Sequence, residues 1–329
     1  MTYRPGIGLP GNTTMAEAER LAAEAEAAGA SGVWITDLRR DPYLVCAAAV
    51  RATKSVTVGT DVAVAFARTP AATAQAGWDL AGYSNGRFVL GLGSQVGPTL
   101  LSRYGVELDR PAPRMRDYVR AVRACWDAYR TGRGRYEGEY FSVRQPVFSP
   151  GVDDPWPTTP IYVAGVNPVM TAVAGEVADG FAAHMFCTER YLDDVIRPAL
   201  AKGAARAGRT APPVMLPLVV GRDRASLATY MTVYTVPTYR RVLDEAGLKE
   251  EMDAILAAIA DRRRTEAAKI VEQHVLDKLA VTLIEDLPAS LARWRAHGDE
   301  VGLSVAWYGL DHPQQVALVR DVLRAVERL

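Results

Sequence analysis

Residues 56–95, VTVGTDVAVAFARTPAATAQAGWDLAGYSNGRFVLGLGSQ, read as a buried strand, a polar break, a helix and a second buried strand. The apolar run that opens at Val56 is broken by Asp61, a lone acid placed where the strand ends. Thr69-Pro70 then opens the helix. The threonine accepts from an otherwise unpaired N–H, and proline takes the first helical position, where a missing N–H costs nothing. The second strand covers 87–92 and ends in Gly91-Leu92-Gly93-Ser94-Gln95. Together these make one β-α-β unit, and folds built from such units place their chemistry at the C-terminal ends of the strands.

The same grammar repeats outward from this unit. A strand at 6–10 leads to Thr14, which forms a capping box with Glu17 and starts a helix ending at a left-handed Gly29. A strand at 32–36 is closed by Asp37, and Asp41-Pro42 opens the second helix; Asn167-Pro168 does so after a strand at 161–164. Strands at 180–183, 214–221 and 302–307, with helices at 287–297 and 313–328, complete the α/β pattern of a (β/α)8 TIM barrel. Two insertions interrupt it. Residues from about 98 to 150 add a helix at 113–129 and a small hairpin within 132–145. Residues 224–279, after strand 7, form a charge-rich helical segment suited to covering the barrel mouth or to an oligomer interface. No Gly-, Ser- or Pro-rich linker divides the chain, so one domain over 1–329 is expected.

Composition narrows the function classes. The chain is 49% apolar and 23% charged, as in a globular protein with ample core. Its 38 basic and 38 acidic residues give a formal net charge of +0, so no field of one sign draws nucleic acid or an anionic membrane. Cys46, Cys125 and Cys187 are sparse and odd in number, the usage of buried free thiols in a reducing cytoplasm. We see no secretory leader, no apolar run approaching the ~18–20 residues of a membrane span, no metal-type Cys/His spacing and no Ser-His-Asp pattern. A cytoplasmic protein with a small-molecule substrate and no metal is the expectation. Trp34, Trp78, Trp126 and Trp307 read as core.

Candidate binding groups lie at the strand ends. The turn Ala164-Gly165-Val166-Asn167 runs into a helix N-terminus, where unpaired N–H groups suit an anion as well as water, and Gly165 permits close backbone approach. Residues 91–97, GLGSQVG, have G-x-G-x-x-x-G spacing followed by Pro98, a poor match to a dinucleotide fingerprint. They read more simply as a glycine strand end on which a flat ring lies, with Gln95 either a donor to its polar tail or a plain turn residue. His184, one of four histidines, follows the strand at 180–183 and is either structural or pocket-lining. Asp37 is a helix-capping or ion-paired carboxylate, with Arg39 or Arg40 as partner, or a proton shuttle. Arg39 and Arg68 are surface groups or anion clamps for substrate or cofactor tail.

Three blocks of this chain, GTDVAVAFARTP at 59–70, SNGRFVLGLGS at 84–94 and PIYVAGVNPVMTAVAGEVADG at 160–180, resemble the bacterial luciferase-like monooxygenase superfamily, in particular its coenzyme F420 (deazaflavin)-dependent branch. The resemblance spans most of residues 5–220. It implies a flavin-type ring resting on a third-strand bulge with a non-proline cis peptide, which matches Asp61-Val62. It also implies a cofactor phosphate held by the turn Ala164, Gly165, Val166 and Asn167, with Gly93 and Gln95 alongside. The implied activity is hydride transfer between F420 and a small organic substrate, with Asp37 and His184 as catalytic candidates, Arg39 at the substrate and a homodimeric assembly. An FMN-dependent monooxygenase using reduced flavin and oxygen is the alternative, and a catalytically silent flavin-binding barrel a further one. Residues 91–96 and Arg114-Met115-Arg116 favour the deazaflavin. The chain departs from its relatives where many carry histidine: Leu38 follows Thr36-Asp37, and Thr99 follows the Gly-Ser-Gln-Val turn. Imidazole is the group that most readily exchanges protons near neutral pH, so the proton donor is left open.

Overall fold

The apolar runs of the sequence pair in parallel and in order. In the computed structural model, which describes residues 3–145, 156 and 159–329, the strands are β1 (Gly6–Leu9), β2 (Gly32–Ile35), β3 (Thr57–Thr60), β4 (Phe88–Gly93), β5 (Ile161–Gly165), β6 (Gly180–Ala183), β7 (Val214–Gly221) and β8 (Glu300–Val305). Each bonds to the next, and β8 returns to β1, closing an eight-stranded parallel barrel. All eight expected strands are present. The eighth begins at Glu300 and ends at Val305, two residues earlier than expected at each end. A short strand, Ala63–Val64, carries the third-strand segment on along β4 past a break at Asp61-Val62, and Val281–Leu283 lies along the end of β7.

Local chemistry sets the helix starts. Thr14 and Glu17 make both halves of the capping box ahead of helix Met15–Ala27. Asp41 Oδ1 accepts from the N–H groups of Tyr43 and Leu44, and Thr69 Oγ1 from Ala72 N–H. Gly29 is left-handed at φ +80°. In the turn before β4, Asn85 and Gly86 both have positive φ, which hands the chain to Arg87. Its guanidinium donates to Ser84 O, Thr53 O and Val56 O and so pins the base of β4 to that of β3.

Inside the barrel, large and small side chains alternate around the ring. Trp34, Val89, Tyr162, Ala182 and Met215 form a cluster of their own, with the rings of Trp34 and Tyr162 stacked at 6.4 Å. The indole fits because Gly6 and Gly59 lack a Cβ, which would lie 2.4 and 2.5 Å from it. Tyr162 OH donates to Glu300 Oε1 at 2.8 Å, so its polar end is satisfied within the barrel.

Both insertions pack onto the barrel. Buried Asp117, on helix Pro111–Thr131, accepts from Tyr136 OH and from the N–H groups of Tyr140 and Phe141. That anchors the hairpin Gly134–Glu137 and Ser142–Gln145; residues 146–150 of the expected insertion lie outside the described residues. The second insertion is helical as expected, with helices Arg224–Thr232, Arg240–Glu245, Lys249–Ala260 and Arg264–Ile270. Cys46, Cys125 and Cys187 are free and buried. Among the described residues no helix is long and apolar enough to cross a membrane.

Candidate active site at the C-terminal mouth of the barrel

Strand alternation carries each interior position two residues toward the C-terminal end. Above Trp34, Gly59, Val89, Tyr162 and Ala182 stand Thr36, Asp61, Gly91, Ala164 and His184; above Gly6 and Gly302 stand Gly8 and Ser304. The upper tier is therefore mostly small, over a floor of large side chains. Val62 and Ala164 rest directly on that floor. This arrangement marks the C-terminal end of the barrel, apolar below and edged by a few polar groups, as the candidate recess for a small molecule.

The Asp61-Val62 peptide is cis, as the family resemblance implies. The bulge is held from both sides: Asp61 N–H donates to Ile35 O at 2.8 Å, and Thr36 Oγ1 donates to Asp61 O at 3.0 Å. Thr60 Oγ1 donates to Gly91 O and accepts from Gly91 N–H. Glycine is needed at 91 because a Cβ would stand 1.9 Å from Thr60 O, and at 93 because it would meet Val62 Cγ2 at 2.6 Å. The Asp61 carboxyl has no hydrogen-bond or ion-pair partner among the described residues. Protein surrounds most of it while part of its surface stays exposed, and burial pushes it up to about 6.

Asp37 is the opposite case. It is buried, and its Oδ2 accepts from Val64 N–H at 3.1 Å and from Arg68 at 2.7 Å, while Oδ1 accepts from Tyr104 OH at 3.1 Å. Its ionic partner is Arg68, not the expected Arg39 or Arg40. Arg68 also bonds Asp41 and lies 5.2 Å from the Tyr43 ring centroid. Two of its donors are thus taken up by carboxylates, which ties Arg68 into the fold at this end of the barrel. Leu38 packs close to Gly11, where a Cβ would lie 2.4 Å from its own. Thr99 sits partly buried in helix Gly97–Tyr104.

At the end of β4, Gln95 is left-handed at φ +60°. Its Oε1 accepts from Val96 N–H at 3.0 Å, which leaves the amide N–H₂ available. At the end of β5, the turn from Ala164 to Asn167 is partly exposed. Tyr191 OH donates to Val166 O, and the Asn167 side chain reaches Thr238 O of the second insertion at 3.4 Å. Asn167 therefore makes no side-chain cap, and helix Pro168–Val177 keeps its first N–H groups unpaired by side chains. A Cβ at Gly165 would meet Met170 Cγ at 3.1 Å.

His184 follows β6 and faces the recess. Its Nδ1 accepts from Phe186 N–H at 3.1 Å, so the neutral ring carries its proton on Nε2, and burial lowers it to about 4. It lies against Tyr239 and Tyr234, at 4.5 and 5.2 Å between ring centroids. Tyr234 OH bonds Tyr230 OH at 3.1 Å, and Tyr230 meets Trp307 edge-on at 5.7 Å. This aromatic wall comes from the second insertion, and the sequence reading passed over it. The signal was there in tyrosines at 230, 234 and 239 within a charge-rich stretch. Trp34 and Trp126 are buried as expected, but Trp78 and Trp307 are only partly so, and Trp307 belongs to this wall.

Arg39 is exposed and stands apart from these groups. With Arg40, Asn12, Thr14, Glu17 and His312 it lines a surface cleft of about 390 Å³ beside the ends of β1, β2 and β8. Among the described residues no cluster of His, Cys, Asp and Glu is arranged to hold a metal.

Comparison with known proteins adds to this geometry. A family model described as luciferase-like monooxygenase matches residues 1–294. An uncharacterized protein of Mycobacterium tuberculosis is 38% identical over 300 residues, covering 86% of this chain and 88% of that protein. A putative coenzyme F420-dependent oxidoreductase of the same organism is 27% identical over 307 residues, covering 84% and 87%. Among solved structures, the coenzyme F420-dependent tetrahydromethanopterin reductase from Methanopyrus kandleri superposes with a TM-score of 0.75 at 20% identity, covering 97% of this chain and 98% of that one.

Proposed function

The chain belongs to the luciferase-like monooxygenase family, and from that premise we propose that it is an oxidoreductase that binds coenzyme F420 and transfers a hydride between it and a small organic substrate. The observation that carries this reading is the two-tiered recess. Large side chains floor it, and Gly91 and Gly93 let the Asp61-Val62 bulge pack down on β4, so that Val62 and Ala164 offer a low apolar surface suited to a flat ring. The curated relative named for coenzyme F420 supports the choice of cofactor.

When bound, the deazaflavin supplies a two-electron donor or acceptor, and the chain supplies position and proton traffic. Val62 and Gly93 form the support for the ring, with Asp61 at its side. The turn Ala164, Gly165, Val166 and Asn167 holds the phosphate through the helix N–H groups that Asn167 leaves uncapped. Gln95 donates to the polar tail through its amide N–H₂. Asp37 positions the bulge by fixing Val64 N–H and Arg68. His184 acts as a neutral Nε2–H donor, since its Nδ1 lone pair is already engaged. Arg39 and Arg40, in the neighbouring surface cleft, receive an anionic group only of a substrate long enough to extend out of the recess. A homodimer built from a single domain over 1–329 and located in the cytoplasm completes the proposal.

The test is a fluorescence titration of the purified protein with F420 and with FMN, each oxidised and reduced. Saturable F420 binding that weakens at least tenfold in Gly165→Leu is expected. The second reading, an FMN-dependent monooxygenase, is favoured by the description of the family itself, and preference for reduced FMN with oxygen consumption would replace the first reading with it. Binding without turnover of any substrate would leave a silent barrel, and sedimentation at monomer mass would remove the dimer.

A further inference from the structure

The backbone after β2 links the Asp61-Val62 bulge to the rim of the barrel. Asp37 N–H donates to Val62 O at 3.4 Å, and two residues on, Arg39 N–H donates to Gly11 O at 2.9 Å. Two residues span at most about 7 Å, so the cleft lined by Asn12, Thr14, Glu17, Arg39, Arg40 and His312 borders the mouth. Three loops build it, those after β1, β2 and β8, and its volume of about 390 Å³ is in the range of a small-ligand site.

The charge in this cleft is not balanced within the protein. Arg39 and Arg40 are exposed, and neither guanidinium has a hydrogen-bond or ion-pair partner among the described residues. Elsewhere on the barrel exterior, Arg222, Arg293 and Arg320 are taken up by Asp321, Glu189 and Glu24. The acid in the lining, Glu17, is already engaged. Its Oε2 accepts from Thr14 N–H at 2.9 Å and from Thr14 Oγ1 at 2.7 Å, and its Oε1 faces His312 Nε2 at 2.7 Å. Burial opposes its charge, but the hydrogen bonds from Thr14 and His312 hold it at about 2, so Glu17 only accepts and His312 Nε2 carries the proton. That leaves His312 Nδ1, which like Asn12 Oδ1 is buried with no hydrogen-bond partner among the described residues, a state few buried polar atoms are left in. Helices Met15–Ala27 and His312–Glu327 both start beside the cleft, and their positive ends add to the field of the two arginines.

We propose that this cleft is an anion site of its own, separate from the turn at 164–167, and that it takes the phosphoryl group of a phosphate monoester between Arg39 and Arg40, with Asn12 and His312 at its edge. A phosphate monoester brings about two negative charges and three acceptor oxygens, which two side-by-side guanidiniums match; a carboxylate brings half the charge. The phosphoryl group comes either on the far end of a substrate whose body lies in the recess or on a separate phosphorylated molecule bound at the rim. Neither source requires the cofactor reading above.

The test uses the four histidines of the chain, His184, His274, His297 and His312. Protein labelled with ¹⁵N-histidine and free of cofactor is titrated with phenyl phosphate and followed by NMR, the rings being assigned with His312→Gln and His184→Gln. A Gly165→Leu background obstructs the other candidate anion turn. The His312 signals should shift saturably, and the apparent affinity should fall at least tenfold in Arg39→Ala/Arg40→Ala and recover in part in Arg39→Lys/Arg40→Lys. No saturable shift at His312, or one that the double alanine variant leaves unchanged, would overturn the site. Phenylacetate binding as tightly as phenyl phosphate would overturn the phosphoryl class. Phosphate esters of longer alcohols distinguish the sources: movement of the His184 signals together with those of His312 assigns the group to a substrate that reaches the recess, and movement of His312 alone across the series assigns it to a separate ligand. Every readout is taken without F420 or FMN, so failure of the cofactor reading and failure of this site are told apart.

Discussion

Replacing Asp61 by asparagine should make the protein more stable, by an amount that grows between about pH 4 and pH 6 and is constant above. An acid whose ordinary value is 3.8 sits at about 6 in the fold because protein surrounds it and, among the described residues, nothing pairs with its carboxyl. At 1.36 kcal/mol per pH decade the ionised fold bears a penalty of about 3 kcal/mol. The sign follows from proton counting. Between the two values the folded state holds a proton that the unfolded chain has released, so stability falls as pH rises through that window. Below it both states are protonated and the penalty vanishes; above about 6 it is fully present. Asparagine keeps the shape and removes the charge. Urea unfolding of wild type and Asp61→Asn at pH 4, 5, 6, 7 and 8 should therefore give curves that agree at pH 4 and diverge to about 3 kcal/mol in favour of the variant at pH 7–8. At the roughly 2 °C per kcal/mol of a chain this size, that is about 6 °C in Tm. Taking the difference between the two proteins cancels His184, whose lowered value acts in the opposite direction over an overlapping window. A gap independent of pH, or a variant less stable at pH 8, would refute the argument that the carboxyl is buried and unpaired.

Arg68→Leu should cost about 3 kcal/mol, because it leaves the 5%-exposed Asp37 side chain without its cation; adding Asp37→Asn should recover a good part of this in a double-mutant cycle. Gly91→Ala should cost more than about 3 kcal/mol or yield insoluble protein, since its Cβ meets a backbone oxygen that cannot move aside. Gly93→Ala should fold, because Val62 Cγ2 can turn away, and should weaken cofactor binding in the fluorescence titration. The His184 ring should show no NMR titration above pH 5. Protonating it costs the fold, so His184→Gln should gain stability relative to wild type as pH falls from 6.5 to 4, the Asp61 contribution cancelling in the difference.

How much of this was legible in the sequence depended on the range of the forces involved. The capping box at Thr14 and Glu17, the Asp41-Pro42 and Thr69-Pro70 starts and the left-handed Gly29 are interactions within a few residues, and each appears as read. The helix start at Asn167-Pro168 was also correct, but the Asn167 side chain turns instead to Thr238, 71 residues away, a contact no local pattern announces. The wall of Tyr230, Tyr234, Tyr239 and Trp307 escaped for the same reason. It forms only when the second insertion folds back over β6 and β8, and periodicity within 224–279 says nothing of what the helices will cover.

The sequence by itself determined the order of strands and helices, and with it which residues end up at the C-terminal mouth, because turn chemistry and apolar periodicity are local and a parallel barrel follows from their repetition. Only the tertiary structure decided what those residues are free to do. Asp37 and Asp61 read alike along the chain, two acids closing apolar strands. Arg68 reaches back 31 residues to the first, and among the described residues nothing pairs with the carboxyl of the second; that difference in partners, set by where β2 and β3 place their ends in space, leaves one carboxylate bound in place and the other unpaired.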